Sequence, residues 1–146
     1  MSLIRVFTDG ACSGNPGNGG WGVVIVKDNE VVKYNGSEND TTNNRMELKA
    51  AIEGIKLATN GSPLTLYTDS KYVKDGITSW VRNWKKNNWL TSSRKPVKNQ
   101  DLWEQLDVLN NEHQVLWKWV KGHQIEKTED SRYNNLADAL AREAVK

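Results

Sequence analysis

Residues 3–34 read LIRVFTDGACSGNPGNGGWGVVIVKDNEVVKY, and this stretch decides the fold. Leu3-Ile4-Arg5-Val6-Phe7-Thr8 and Trp21-Gly22-Val23-Val24-Ile25-Val26 are apolar, β-branched runs of strand length. Between them, Gly10 to Gly20 is so rich in Gly, Asn and Pro that it predicts a loop. Asp28-Asn29-Glu30 predicts a turn, and Val31-Val32-Lys33-Tyr34 begins a third strand. The chain therefore opens as an antiparallel meander.

Downstream of the meander, Thr42 fits the N-cap of a helix running to about Thr59 and stopped by Asn60-Gly61. Leu64-Thr65-Leu66-Tyr67-Thr68 is a fourth strand, with a helix opening at Ser70. Helical pieces follow over Thr78–Asn87 and Asp101–Asn111, and Val115–Val120 is the last strand. Asn134–Val145 closes the chain as an amphipathic helix with Leu136, Ala137, Leu140, Ala141 and Ala144 on its apolar side. That order is an α/β fold: one mixed sheet flanked by helices. At 146 residues, positions 1–146 form a single domain.

Composition excludes several classes. No apolar run approaches the ~20 residues of a membrane span, so no membrane association is expected. Seven Trp and the strand-like runs argue against disorder. The lone Cys12 excludes an internal disulfide, and with only two His a Cys/His zinc site is excluded as well. Met1-Ser2 runs straight into a strand pattern with no targeting segment, so a cytoplasmic location is expected.

The charge is lopsided. Gly76 to Gln100 holds no acid, yet carries Arg82, Lys85, Lys86, Arg94, Lys95 and Lys98 interleaved with Trp80, Trp84 and Trp89. Taking those six charges from the net +2 leaves the rest of the chain at −4. A basic, Trp-rich segment on an acidic body is the footprint of a nucleic-acid binder. The bland reading is a solvated helix face with Trp packed beneath it. The absence of acids that would otherwise pair these cations favours phosphate contact. Trp21, Trp103, Trp117 and Trp119 are expected in the core.

Thr8-Asp9-Gly10 and Thr68-Asp69-Ser70 both place an Asp where a strand gives way, and ligands collect at such strand ends in open α/β sheets. Glu47 lies early in the first helix, and steps of four, seven and eleven residues from it reach Ala51, Gly54 and Ala58. That stripe of small side chains lets the helix approach the sheet and hang Glu47 over the strand ends. Asp138 borders the apolar face of the last helix. Singly, an acidic residue near a strand end or in a helix's first turn is usually a cap or a solvated side chain. Together the four carboxylates repel, and a divalent cation resolves the conflict. Oxygen ligands without His or Cys select Mg²⁺ or Mn²⁺, and two such ions can hold the attacking and leaving oxygens of an in-line phosphoryl displacement.

Thr8-Asp9-Gly10-Ala11-Cys12-Ser13-Gly14-Asn15-Pro16-Gly17, Thr42-Asn43-Asn44-Arg45-Met46-Glu47-Leu48, Tyr67-Thr68-Asp69-Ser70, Trp119-Val120-Lys121-Gly122-His123 and Asn134-Asn135-Leu136-Ala137-Asp138 resemble type 1 ribonuclease H in order and spacing. The resemblance covers essentially the whole chain. Trp84 to Trp89 and Pro96 to Asn99 look like the basic protrusion, around residues 80–99, of the bacterial-type members (ribonuclease HI).

The resemblance implies the ribonuclease H-like fold, a five-stranded mixed sheet with its first three strands antiparallel. It implies a monomer that cleaves the RNA strand of an RNA–DNA hybrid with little sequence specificity, giving 5′-phosphate and 3′-hydroxyl ends. Two Mg²⁺ in the substrate complex, with Mn²⁺ a substitute, would bind Asp9, Glu47, Asp69 and Asp138. His123 would serve in proton transfer or product release. Cys12, Gly14, Asn15 and Glu47 fall where the family contacts ribose 2′-hydroxyls, and Asn43 and Asn44 where it meets the minor groove. Thr42 and Asn99 match a DNA-phosphate pocket, and Tyr72, Trp80 and Ser92 lie along the DNA channel, with Lys85 and Lys86 on the protrusion.

Two features depart from the bacterial pattern. Fourteen residues separate His123 from Asp138, and Asp40 stands where many members carry a phosphate-binding Arg. A register placing Asn134 at the fourth metal position would describe an inactive variant; the Leu136–Arg142 helix motif favours Asp138.

Overall fold

Buried alternation along the strands builds the sheet. In the computed structural model, which describes residues 4–58, 62–122 and 128–145, β1 (Ile4–Cys12), β2 (Gly17–Lys27) and β3 (Glu30–Thr41) form the antiparallel meander. β4 (Leu64–Thr68) and β5 (Val115–Trp119) join the other side of β1 as parallel strands, giving the order β3-β2-β1-β4-β5. The helices are α1 (Asn43–Ala58), α2 (Lys71–Asp75), α3 (Val81–Lys86), α4 (Gln100–Glu112) and α5 (Glu129–Ala144). None of the described helices is long and apolar enough to cross a membrane.

Successive strand residues face opposite sides, so the sheet has two apolar faces. Ile4, Val6, Val23, Ile25, Leu64 and Leu66 meet Leu48, Ala51, Ile52 and Ile55 of α1 and Trp103 and Leu106 of α4. Phe7, Val24, Val26 and Tyr67 meet Ala137 of α5, and Phe7 stacks on Tyr67 with ring centroids 4.4 Å apart. Thr42 starts α1 as expected, its hydroxyl accepting from the Arg45 amide at 3.2 Å. The small-residue stripe has its consequence at Gly54, where a Cβ would come within 2.9 Å of Thr8 and Val6 side chains. α1 therefore lies close on β1. The Asn60-Gly61 stop falls outside the described residues.

Three boundaries differ from the sequence reading. The Gly10–Gly20 loop is mostly strand: Gly10, Ala11 and Cys12 pair with Trp21, Gly20 and Gly19, leaving only 13–16 as the bend. Ladder hydrogen bonds need backbone alone, so a glycine run can continue a strand that its composition disguises. The last helix begins at Glu129 rather than Asn134. Thr128 caps it by accepting from the Ser131 amide at 3.1 Å, and Glu129 and Asp130 complement the dipole of its first turn. Arg5 on β1 pairs with both acids, at 3.3 and 3.5 Å. Finally, the two expected pieces after Ser70 run together: a π-type turn, Gly76–Trp80, joins α2 to α3. Gly76 is pressed against the Trp103 ring there, where a Cβ would collide with it.

Of the four tryptophans expected in the core, Trp21 is only partly buried and packs against it. Trp103 is fully buried and Trp117 is 9% exposed, whereas Trp119 is 39% exposed and is not a core residue. It sits at the end of the edge strand β5, where one flank has no neighbouring strand. Trp80, Trp84 and Trp89 follow one another at centroid spacings of 6.0 and 6.2 Å, and Trp84 lies edge-on to Trp103 at 5.4 Å. This stack anchors the protrusion to the body.

Candidate active site at the strand ends

Sheet register brings the first two carboxylates together. Thr8 and Thr68 are partners in the parallel ladder of β1 and β4. Adjacent strands run about 4.8 Å apart, so Asp9 and Asp69 leave the sheet side by side. Asp9 continues β1 in its pairing with Gly22 of β2 and is 3% exposed.

Gly10 admits the third. Its amide donates to both Asp9 Oδ1 and Glu47 Oε1, each at 2.9 Å. A Cβ on Gly10 would lie 2.5 Å from the Glu47 amide nitrogen and from the Met46 carbonyl carbon. Only glycine lets α1 come near enough for Glu47, 7% exposed, to reach over the strand ends. Carboxylate oxygens of Asp9, Glu47 and Asp69 all lie within 4.8 Å of one another.

Asp138 on α5 completes the walls. Asp9, Gly10, Cys12, Asn43, Glu47, Asp69, Asp138 and Arg142 border one cavity of about 290 Å³. Arg142 pairs with Asp138 at 2.8 Å, one helical turn along α5. Asn134, the rival fourth position, is buried away from that cavity with its Oδ1 unpaired. The structure thus brings together the four carboxylates named from sequence, with three in a tight group and Asp138 beside them.

Electrostatically the group is frustrated. Burial, then the charges of Glu47 and Asp69, push the Asp9 carboxyl up to about 11, and its hydrogen bond with Asp138 acts the same way. Burial and the Asp69 charge also drive the Glu47 carboxyl well above its usual range, against the opposing pull of its hydrogen bonds to Asp9 and Gly10. Without added positive charge the ionised forms of Asp9 and Glu47 are disfavoured. An all-oxygen donor set of this kind fits a hard divalent cation, which would favour the ionised forms.

A second concavity, about 270 Å³, is bordered by Asn15, Thr42, Asn43, Asn44, Lys98 and Asn99. Asn15 Oδ1 accepts from the Asn43 amide at 2.9 Å, tying the 13–16 bend to the start of α1. Arg45 spans to Asn99 at 3.3 Å and to Asp101 at 3.0 and 2.7 Å. The Tyr72 hydroxyl accepts from Asn99 Nδ2 at 3.1 Å and Trp103 Nε1 at 3.0 Å, leaving its own proton for a further acceptor. Lys98 was not singled out as a site residue from sequence; its adjacency to Asn99 within the acid-free run was the available signal. Asp40 is exposed with φ 51° and does not border this concavity.

The predicted contact residues fall in three places. Cys12 borders the acidic cavity, its Sγ donating to the Gly14 and Thr41 carbonyls. Trp80 is 38% exposed and packs edge-on to Tyr72 at 5.9 Å. Lys86 and Ser92 border a hollow of about 400 Å³ on the protrusion with Arg94. Lys85 pairs with Asp107 of α4 at 3.0 Å. An acid distant in sequence therefore reaches one of the six cations. His123 lies outside the described residues.

Residues 2–146 match the family described as RNase H. A ribonuclease H of Hydrogenovibrio crunogenus is 53% identical over 138 residues, covering 94% of each chain. The crystal structure of LC9-RNase H1, described as a type 1 RNase H with the type 2 active-site motif, superposes with a TM-score of 0.81 at 33% identity. That superposition covers 99% of this chain and 72% of the other. LC11-RNase H1, solved in complex with an RNA/DNA hybrid, shares the fold at a TM-score of 0.72 and 19% identity, over 97% and 96% of the two chains.

Proposed function

The chain belongs to the type 1 ribonuclease H family, and from that premise we propose that Asp9, Glu47, Asp69 and Asp138 hold the divalent cations with which it works. It is a ribonuclease H, an enzyme of a metal-dependent family that cleaves the RNA strand of RNA–DNA hybrids. The observation that carries the proposal is the sharing of one amide by two buried carboxylates, with Asp69 within 4.8 Å. Two Mg²⁺, or Mn²⁺ in their place, would supply neutralisation and in-line alignment of the attacking and leaving oxygens, giving 5′-phosphate and 3′-hydroxyl ends.

The protein's own part is positioning. Glu47, the backbone at Cys12 and Gly14, and the Asn15 side chain meet ribose 2′-hydroxyls, the group that tells RNA from DNA. Asn43 and Asn44 meet the minor groove beside them. Thr42 and Asn99 grip a phosphate of the DNA strand in the concavity at the start of α1, which Lys98 also borders, with Asn99 held by the Tyr72 hydroxyl. Trp80, Lys85, Lys86 and Ser92 seat the DNA strand through its backbone, so sequence is scarcely read. His123 moves a proton or helps release product, and the enzyme acts as a monomer in the cytoplasm.

Incubation with an end-labelled RNA–DNA hybrid, with and without Mg²⁺, beside duplex RNA and duplex DNA, tests this. Magnesium-dependent cutting of the RNA strand alone, with new 5′ ends that accept kinase label only after phosphatase treatment, is the expected pattern. Equal cutting in chelator would remove the cations from the mechanism.

A further inference from the structure

Asp69 differs from Asp9 in its support. Asp9 sits within a strand paired on one side by β2, whereas Asp69 lies one residue beyond the last rung of β4 and one before the Ser70 cap of α2. Its aim depends on the backbone torsion that its own carbonyl reports. That carbonyl accepts a hydrogen bond from Trp119 Nε1 at 3.0 Å. The indole is held in turn by Lys71, whose ammonium lies 4.8 Å from the ring centroid. From the same end of β5, Gly122 lies beside the carboxylate: a Cβ there would lie 2.7 Å from Asp69 Oδ2. The Val120 amide donates to the Thr68 carbonyl at 2.9 Å, locking the β5 extension to the strand that carries Asp69.

We propose that Trp119 is a positioning residue for the metal site, fixing the main chain of Asp69 while the bare backbone of Gly122 leaves room for the carboxylate. Its exposure follows from that task, because the ring reaches out of the sheet edge to span the strand end rather than into the core. The inference rests on Asp69 being a cation ligand, as proposed above.

Trp119→Phe keeps an aromatic ring at this position and removes the N–H donor together with the fused five-membered ring that carries it. Calorimetric titration with Mg²⁺ alone is expected to give a dissociation constant weaker by roughly tenfold, the low end for outer-shell partners. Melting temperature stays within about 2 °C, because the group removed is at the surface. The Mg²⁺ midpoint of hybrid cleavage shifts by the same factor, and kcat recovers at saturating Mg²⁺. Gly122→Ala weakens Mg²⁺ binding too, by crowding the carboxylate rather than freeing the carbonyl. Asp69→Asn is the control. If it abolishes Mg²⁺ binding while Trp119→Phe and Gly122→Ala bind normally, the positioning role is overturned and the ligand assignment stands. If Asp69→Asn binds Mg²⁺ as wild type does, the ligand assignment itself falls. A Trp119→Phe protein that melts far lower and is not rescued by Mg²⁺ makes the indole structural, which also overturns the proposal.

Discussion

The acidic strand ends and the basic protrusion put charge to opposite uses. At the strand ends, like charges are buried and held by sheet register, a shared amide and a glycine contact, so the protein opposes their ionisation. On the protrusion, like charges stand in solvent on a short helix and its loop, anchored by a stack of indoles. The first region needs a partner of opposite charge within bonding distance. The second needs only a polyanion nearby. Changes in the first should therefore alter chemistry and stability, and changes in the second should alter affinity and its salt dependence.

The largest expected effect is at Asp69. Asp69→Asn should lower single-turnover cleavage by more than about a hundredfold, beyond the 10–100-fold that outer-shell partners cost, while hybrid binding persists. Filter binding beside a quenched-flow assay separates the two; equal loss of both would make the strand ends a binding surface like the protrusion.

Next comes Asp9, where pH gives the sign. Its carboxyl is raised from 3.8 to about 11 in the fold. Between those values the folded state holds a proton that the unfolded chain has released, so stability falls as pH rises through this window. Asp9→Asn removes that dependence. In chelator at pH 8 it should melt several degrees above wild type, with the gap closing toward pH 5. Added Mg²⁺ should raise the wild-type melting temperature and leave the variant nearly unmoved. A variant no more stable at pH 8 would mean that the strand-end charges are not strained.

The smallest effect should come from the protrusion. Lys85→Ala with Lys86→Ala should weaken hybrid binding and reduce the salt slope by about 1 for each phosphate that is no longer neutralised. Of the two, Lys86→Ala should matter more, because Lys85 already has a partner in Asp107. Single-turnover chemistry at saturating protein should be unchanged. A slower chemical step would erase the contrast between the regions.

Much of the site was legible in the sequence because its logic is local. The Thr-Asp echo at residues 8–9 and 68–69 marks two strand ends, and the Ala51-Gly54 stripe brings Glu47 to them. Their actual proximity comes from a ladder register that pairs Thr8 with Thr68 across sixty positions, which no local pattern encodes. Glycine hid a strand at 10–12 and 17–20 because composition speaks for side chains and ladders are made by backbone. The start of α5 was missed because Thr128 and the two acids after it read as a polar loop until Arg5 is seen beside them. Trp119 was expected in the core with the other strand and helix tryptophans; it lies instead at the end of an edge strand, which leaves one flank open.

The most direct measurement is calorimetric Mg²⁺ titration of a complex with a hybrid whose RNA carries a non-cleavable linkage, in wild type and in the Asp9→Asn, Glu47→Gln double variant. The expected result is saturable binding in wild type with release of protons at pH 7, and its loss in the variant. Identical isotherms in the two proteins would contradict the assignment of these carboxylates as the seat of catalysis.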